Sequence, residues 1–152
     1  MMNTFSRLRS DTRGVAVIEL ALIAPVLAIM VVGIIDMSNG INRKLQLEQA
    51  AQRSLEMILQ TTGNDTAEAA ITAQVVQQAG VDAEDVVVER RLECDGTVVA
   101  DVTAQCPPPQ TEARYITVTV TDTYAPMFRL RFAGLDADGT YHIGAKAGMR
   151  TQ

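Results

Sequence analysis

The sequence has few of the residues on which catalysis, metal binding and nucleic-acid recognition usually depend. Its 152 residues include no Trp, three Tyr, three Phe, one His and two Cys, and the formal net charge is −5. Nucleic-acid binding needs a basic stripe and stacking aromatics, so the composition disfavours nucleic acid as a partner. Two cysteines and one histidine do not complete a tetrahedral zinc site without carboxylates. No Ser-His-Asp order, phosphate loop or paired-cysteine motif occurs in the sequence, which disfavours an enzyme and predicts neither metal nor cofactor.

The longest apolar run lies near the N-terminus, from Val15 to Ile35, and contains 21 residues. A helix needs about 20 residues to cross a hydrocarbon core of about 30 Å, so the run predicts a membrane span. Three arginines lie within residues 1–14, whereas the first base after the run is Arg43. The positive-inside bias therefore predicts a cytoplasmic N-terminus and an exported C-terminal part. Pro25 within the run predicts a kink rather than the end of the helix.

A cleaved secretory signal is an alternative interpretation of the same run. Such signals have an apolar region of about 7–15 residues, followed by a site with small residues. The run here is longer, and the nearby candidate site, Ser38-Asn39-Gly40, is weak. A membrane anchor is therefore the favoured interpretation.

Beyond the run, apolar periodicity predicts two helices. The first continues the apolar helix as an amphipathic one. Its apolar side is predicted to contain Ile41, Leu45, Ala51, Leu55, Ile58 and Leu59. TAEAAITAQVVQQAG predicts the second helix, with Asp65 or Thr66 as its cap and Gly80 after its end.

The C-terminal part has the alternation and turn residues of an antiparallel sheet. DVVVERRLE and TVVADV flank Asp95-Gly96 and predict a tight hairpin. RYITVTVTDTY alternates apolar residues with threonine, which predicts a strand with one buried face. RLRFAGL and TYHIGAKAGMR predict a final hairpin around Asp136-Ala137-Asp138-Gly139. The fold class is therefore α+β: a long N-terminal transmembrane and amphipathic helix, then a small exported domain with a short helix and four or five antiparallel strands.

Cys94 and Cys106 lie twelve positions apart in the predicted exported part. An oxidising compartment favours a structural disulfide, which would contribute about 3 kcal/mol, whereas free or redox-active thiols are the alternative. His142 is predicted to be exposed on a strand, and Asp136 and Asp138 to form a turn because the spacing of a calcium loop is missing. One further cluster is interpreted as a solvated acidic edge: Asp82, Glu84, Asp85 and Glu89.

Glu19 is the one ionisable residue in the apolar run and follows Gly14 by five positions. A carboxylate at the centre of a membrane helix costs roughly 2.5–3.5 kcal/mol, and less near an end. If the bond after Gly14 were cut, Val15 would carry an ammonium group on the helix face that holds Glu19. The plain alternative is that Glu19 lies at the membrane surface and reaches the lipid headgroups.

The motif R-G-x-x-x-x-E before a long apolar run resembles the processing signal of type IV pilins. RGVAVIELALIAPVLAIMVVGIIDM, followed by an amphipathic helix with QAAQRS, is similar to the TadE-like family. These proteins are minor pilins, or pseudopilins, of the tight-adherence (Flp) pilus. The residues at the family's motif positions are Gly14, Glu19, Leu20, Pro25, Gly33 and Asp36. Ala50-Ala51-Gln52-Arg53 departs slightly from the family's Ala-Ala-Arg.

The resemblance implies cleavage by a prepilin peptidase between Gly14 and Val15, with Glu19 guiding processing or assembly. Glu19 would pair with its own new ammonium group or with that of a neighbouring subunit. The implied organisation is a cytoplasmic leader at 1–14, a transmembrane helix at 15–36, an amphipathic continuation at 37–62 and a periplasmic domain at 63–152.

The implied location is the bacterial inner membrane, with possible entry into the pilus. The implied partners are membrane lipid, the prepilin peptidase, other pilin or pseudopilin subunits and the inner-membrane assembly platform. The competing interpretation is an uncleaved single-pass membrane protein with an extracytoplasmic domain that binds a ligand or an envelope component.

Overall fold

A computed structural model of the chain describes residues 13–60, 68–127 and 136–151. Its elements in chain order are helix α1 (Arg13–Gln60), helix α2 (Glu68–Ala79), a 3-10 turn (Ala83–Asp85) and strands β1 (Val86–Cys94), β2 (Thr97–Val99), β3 (Glu112–Tyr124) and β4 (Tyr141–Arg150). A long helix, a short helix and a four-stranded antiparallel sheet confirm the α+β prediction. The chain forms two compact units, Met1–Asn39 and Gly40–Gln152.

In the first unit, α1 is an apolar helix with exposed side chains. Leu20 is 65 % and Leu22 is 71 % exposed. Pro25 lies inside the helix, which continues beyond it. A proline is tolerated where neighbouring groups or small helical adjustments satisfy the freed carbonyl, and the kink stays a prediction. By length and composition, α1 is able to cross a membrane.

In the second unit, α1 supplies one side of a hydrophobic core. Its buried residues recur every three or four positions, as expected for one helix face. They are Leu47, Ala50, Ala51, Ser54, Leu55 and Ile58. The predicted apolar side was therefore partly wrong: Ile41, Leu45 and Leu59 are 51 %, 46 % and 67 % exposed. The small residues Ala50 and Ser54 are buried instead, because the helix turns that side toward the rest of the unit.

Helix α2 adds a second apolar stripe to the same core, through Ile71, Val75 and Ala79. The predicted glycine after its end is confirmed. Gly80 has φ +63°, and its N–H donates to Val76 O at 2.9 Å, which closes the helix with a left-handed residue. The predicted caps Asp65 and Thr66 lie outside the described residues.

The sheet has the strand order β2-β1-β3-β4, with each neighbouring pair antiparallel. Ile116, Val118 and Val120 of β3 are buried, so the predicted alternation is confirmed. They belong to the same core as α1 and α2, whose side chains thus cover the inner face of the sheet. We call the opposite face the outer face. It contains the threonines of β3 and those charged residues of β1 and β4 that alternate along the strand with core residues.

The turns of the sheet follow the sequence signals. Asp95 (φ 50°) and Gly96 (φ 80°) join β1 to β2, and positive φ at both positions is what a tight hairpin of this kind requires. Residues 106–110 form a loop rather than a strand, because three prolines remove three backbone donors. The strand predicted at 129–135 lies outside the described residues, whereas the one after Thr140 is confirmed as β4.

Candidate functional site

The predicted processing residues lie in the first turns of α1. The helix begins at Arg13, so the bond between Gly14 and Val15 lies in its first turn. Val15 is 63 % exposed, and Glu19 is also exposed. Residues four positions apart share a helix face, and helical side chains tilt toward the N-terminus of their helix. Glu19 is therefore placed to reach the turn that contains Val15.

Glu19 lies within an apolar surface that continues along the first unit. Val17 is 68 % and Ile34 is 66 % exposed, and the described residues 15–32 include no buried side chain. An exposed apolar surface of this extent marks a contact with membrane or with another protein. A lone carboxylate in such a surface is costly unless a cation or the headgroup region lies near it, which is the chemical basis of the candidate site.

The two cysteines form a disulfide at the end of β1, as the sequence leads us to expect. Their Cα atoms lie 5.6 Å apart, which is within the usual range for this bond. The bond ties the loop that contains the three prolines to the strand that leads into the first hairpin. Its location fits a structural role in an oxidising compartment.

Sequence reasoning missed the polar contacts that hold this loop. Glu112 Oε2 accepts a hydrogen bond from Cys106 N at 3.2 Å, and Glu112 Oε1 accepts one from Arg114 Nε at 2.6 Å. These bonds, the one from Cys106 first, hold the pKa of Glu112 below its ordinary value. Arg114 also donates to Val102 O at 2.6 Å and to Ala104 O at 2.7 Å. In the sequence, the only sign of these contacts is that opposite charges stand two positions apart, at 112 and 114.

Arg43 is a second side chain that sequence reasoning missed. Its Nε donates to Asp122 Oδ2 at 2.6 Å, and its Nη1 donates to Ala79 O at 2.7 Å. One guanidinium thus connects α1, β3 and the last residue of α2. No local pattern predicts this contact, because 79 positions separate Arg43 from Asp122.

The residues around His142 form an exposed strand position and a turn, as the sequence predicts. His142 is exposed, and its Nε2 lies 3.6 Å from Asp136 Oδ2. Asp138 Oδ1 accepts hydrogen bonds from Thr140 Oγ1 and Thr140 N, which lower the pKa of Asp138. Gly139 N donates to Asp136 O, so the segment is a turn. Within residues 13–60, 68–127 and 136–151, no three His, Cys, Asp or Glu side chains form a group able to hold a metal.

A cavity of about 200 Å³ lies near one end of the sheet. Three arginines line it, and each already has a carboxylate partner. Arg90 pairs with Glu68 at 3.5 Å, Arg91 with Glu93 at 3.0 Å and Arg114 with Glu112 at 2.6 Å. Among the described residues that line the cavity, no arginine is therefore left unpaired to bind an anionic ligand.

The predicted acidic edge is mostly solvated. Asp82, Glu84 and Glu89 are exposed as expected, whereas Asp85 is half-buried. A solvated edge is the ordinary role of such a cluster, and its residues belong to no metal-binding group in the described part of the chain.

Comparison with known proteins finds a family match in the N-terminal part of the chain. The family model described as TadE-like protein matches residues 14–55. The match begins at the predicted cleavage position and includes the apolar part of α1 and most of its amphipathic part. No curated protein and no solved structure matches the chain. The resemblance to the TadE-like family that the sequence motifs indicate is thereby confirmed over residues 14–55.

Proposed function

We propose that this chain is a minor pilin, or pseudopilin, that takes part in assembling a tight-adherence (Flp) pilus. The TadE-like match points to a pilus-associated structural protein rather than an enzyme. The apolar helix α1 supports an anchored form, because its length and composition suit a membrane span. The proposed work of the protein is non-enzymatic and consists of contacts with other subunits.

The observation that carries the proposal is the location of Gly14, Val15 and Glu19 at the start of an exposed apolar helix. Cleavage after Gly14 converts the amide nitrogen of Val15 into an ammonium group. In hydrocarbon, a carboxylate and an ammonium are each costly alone and favour pairing. Glu19 is one turn from Val15 and therefore suits this pairing, either within one subunit or between neighbours.

The proposed topology follows from charge and redox chemistry. Residues 1–14 would be a cytoplasmic leader, 15–36 the span of the inner membrane, 37–62 the amphipathic continuation and 63–152 the periplasmic domain. The arginines before the span favour a cytoplasmic N-terminus. The disulfide between Cys94 and Cys106 is consistent with export, because such bonds persist in oxidising compartments. The proposed partners are the prepilin peptidase, other pilin subunits, the inner-membrane assembly platform and membrane lipid.

N-terminal sequencing of the membrane-extracted protein tests the processing step. In cells with an active prepilin peptidase, the mature chain is expected to start at Val15. Gly14→Phe is expected to abolish this start. Ala28→Phe is the matched control, because Ala28 is exposed on the same apolar helix and lies far from the cleaved bond. It should leave processing unchanged.

The competing function is that of an uncleaved single-pass protein with a domain that binds a ligand or an envelope component. An intact Met1 start, in cells whose other prepilins are processed, would overturn the pilin proposal in favour of this one. Pilus assembly separates the two functions further. Deleting the gene should abolish or shorten pili if the chain is a minor pilin, and should leave them unchanged if it is a separate anchor.

Substitution of Glu19 tests the role of its charge. Glu19→Gln keeps the side-chain size and removes the charge that would attract the Val15 ammonium. We expect normal membrane insertion with impaired processing or assembly, measured by N-terminal sequencing and by recovery in sheared pili. Glu19→Asp keeps the charge on a shorter side chain and should retain part of the function. Full function of Glu19→Gln would show that the charge plays no role.

A further inference from the structure

The outer face of the sheet carries opposite charges on its two sides. The strand registers align Glu89 of β1, Thr117 of β3 and Gly148 of β4 in one row across the sheet. The next row aligns Val87, Thr119 and Lys146. Glu89 therefore lies on the β1 side and Lys146 on the β4 side, with threonines of β3 between them.

Glu89 and Lys146 have no ion-pair partner among the residues that the structure describes. Both side chains are exposed. Strand β3 separates β1 from β4, so the two residues lie about 10 Å apart across the sheet. No ion pair joins the two side chains in the described part of the chain. Two opposite charges thus remain available on a single face.

On the β4 side, the basic residues are regularly spaced and separated by glycines, which leave gaps between the side chains. His142, Lys146 and Arg150 recur every four positions along β4, and Gly144 and Gly148 lie between them on the same face. Gly148 is in the row of Glu89. Gly144 is in the row of Thr121, whose Oγ1 donates to Asp85 O at 3.2 Å. Glu89 is therefore level with one of the glycine gaps of the basic side.

We propose that the outer face is an interface with a second copy of this chain, related by a two-fold axis parallel to the strands. Such a rotation keeps each row at its own height and exchanges the β1 and β4 sides. Glu89 then faces Gly148 of the second copy and lies between its Lys146 and Arg150. The same contact occurs twice in the dimer, as in any isologous interface.

The other side chains of the face are compatible with this arrangement. The threonines of β3 are short, and the glycines of β4 add no bulk, so two sheets are able to approach closely. Val87 is 49 % exposed and faces the aliphatic stem of Lys146 in the second copy. Arg91, the base on the acidic side, already pairs with Glu93 at 3.0 Å and stacks 5.0 Å over the Tyr115 ring. Arg91 lies in the row of Arg150 and therefore faces Arg150 of the second copy, and its ion pair with Glu93 offsets this like-charge contact.

The proposed partner is a second copy of this chain because the same face carries both the acidic and the basic residue of the contact, Glu89 and Lys146. The proposed interface lies in the Gly40–Gln152 unit and does not depend on cleavage after Gly14. A failure of the proposed processing would leave it intact, and the reverse also holds. The test uses the full chain in detergent micelles, where sedimentation measures the dimer dissociation constant.

Glu89→Lys and Lys146→Glu are each expected to weaken dimerisation about tenfold or more, since each change makes both contacts repulsive. Mixing the two variants should restore most of the lost affinity, because positions 89 and 146 again carry opposite charges at both contacts of the mixed dimer, while Arg150 still lies beside the new lysine at one of them. The double variant in one chain should also dimerise. Glu56→Lys, an exposed charge change of equal size on α1, is the matched control and should leave the dissociation constant unchanged.

Cross-linking provides a second measurement. Thr119 lies near the proposed axis on the central strand, so Thr119→Cys should give a covalent dimer with a short bismaleimide. Ala83→Cys, exposed in the 3-10 turn, should cross-link less efficiently because it lies away from the axis. A monomeric wild-type chain at all concentrations would overturn the proposal. Equal dissociation constants for wild type and both single variants, or a mixture without recovery, would also overturn it.

Discussion

Arg43 Nε of α1 donates to Asp122 Oδ2 of β3 at 2.6 Å, while Nη1 of the same guanidinium donates to Ala79 O at 2.7 Å. Both charged side chains are mostly covered, with 26 % and 23 % of their surfaces exposed. A charge-assisted hydrogen bond in this setting is stronger than a surface ion pair, and removing one partner leaves the other poorly solvated. One residue of α1 thus positions this part of the helix on the sheet.

Replacing Arg43 should destabilise the Gly40–Gln152 unit. Arg43→Ala removes the bonds to Asp122 and Ala79 and should lower the free energy of unfolding by about 2 kcal/mol. Urea unfolding of the detergent-solubilised chain measures the loss. Lys44→Ala is the matched control, because Lys44 is 55 % exposed and its nearest carboxylate, on Glu48, is 3.9 Å away. Its effect should stay within about 0.5 kcal/mol, and equal losses for both variants would contradict this role of Arg43.

Removing the disulfide should destabilise the same unit. In the loop-entropy account, closing a loop between residues twelve positions apart contributes about 3 kcal/mol. The variant with both Cys94→Ser and Cys106→Ser should lose that amount in urea unfolding. A reducing agent should destabilise the wild type to the same extent and leave the double variant unchanged. A wild type that is insensitive to reductant would show that the bond contributes no stability.

Stability should fall in acid, partly through Glu112. Hydrogen bonds from Cys106 N and Arg114 lower the pKa of Glu112 from its ordinary 4.5. A group with a lowered pKa stabilises the folded state fully above its unfolded pKa, and this contribution is lost as the pH falls through the folded pKa. The urea midpoint of the wild type should therefore decrease as the pH drops below about 4.5.

Glu112→Gln should reduce the decrease of the urea midpoint in acid, because glutamine does not titrate. Glu84→Gln provides the matched control in the exposed 3-10 turn and should keep the wild-type profile. Asp101 and Asp138 have pKa values lowered by hydrogen bonds from Thr103 and Thr140, so part of the acid dependence should persist in Glu112→Gln. A Glu112→Gln profile that parallels the wild type throughout would contradict the assignment.

Gly80 should be needed for the end of α2. Its φ of +63° lies in the left-handed region, which a Cβ atom disfavours. Gly80→Ala should lower the free energy of unfolding by about 1 kcal/mol, and Gly80→Asn by less because asparagine tolerates this conformation. A side chain added at Gly80 meets nothing within 4 Å, so the cost is conformational rather than steric. Equal stability of both variants and wild type would refute this explanation.

The strands were predictable because their signals are local. In β3, threonine alternates with Ile116, Val118 and Val120. Alternation with a period of two indicates a β-strand whose apolar side chains all lie on one buried face. Asp95-Gly96 likewise predicts its turn, since both residues tolerate the positive φ that a tight hairpin requires. The disulfide was also predictable, because the chain has two cysteines and both fall in the same predicted domain.

The side of α1 that packs in the core was harder to predict. Leu45 and Leu47 are both leucines two positions apart, yet Leu47 is 0 % exposed and Leu45 is 46 % exposed. The amphipathic pattern is weak here, since small residues such as Ala50 and Ser54 contribute little apolar signal although they are buried. Contacts with α2 and the sheet select one side of the helix, and these partners come later in the chain.

By itself, the sequence determined the long apolar helix, the spacing of Gly14 and Glu19 within it, and the order of helices and strands. These features depend on hydropathy, on periodicity and on turn residues, all of which act between near neighbours. Only the tertiary structure decided that Arg43 meets Asp122, and that Glu89 and Lys146 share one face of the sheet without meeting. Strand register and helix orientation bring together residues far apart in the chain, and local pattern does not encode which of them meet.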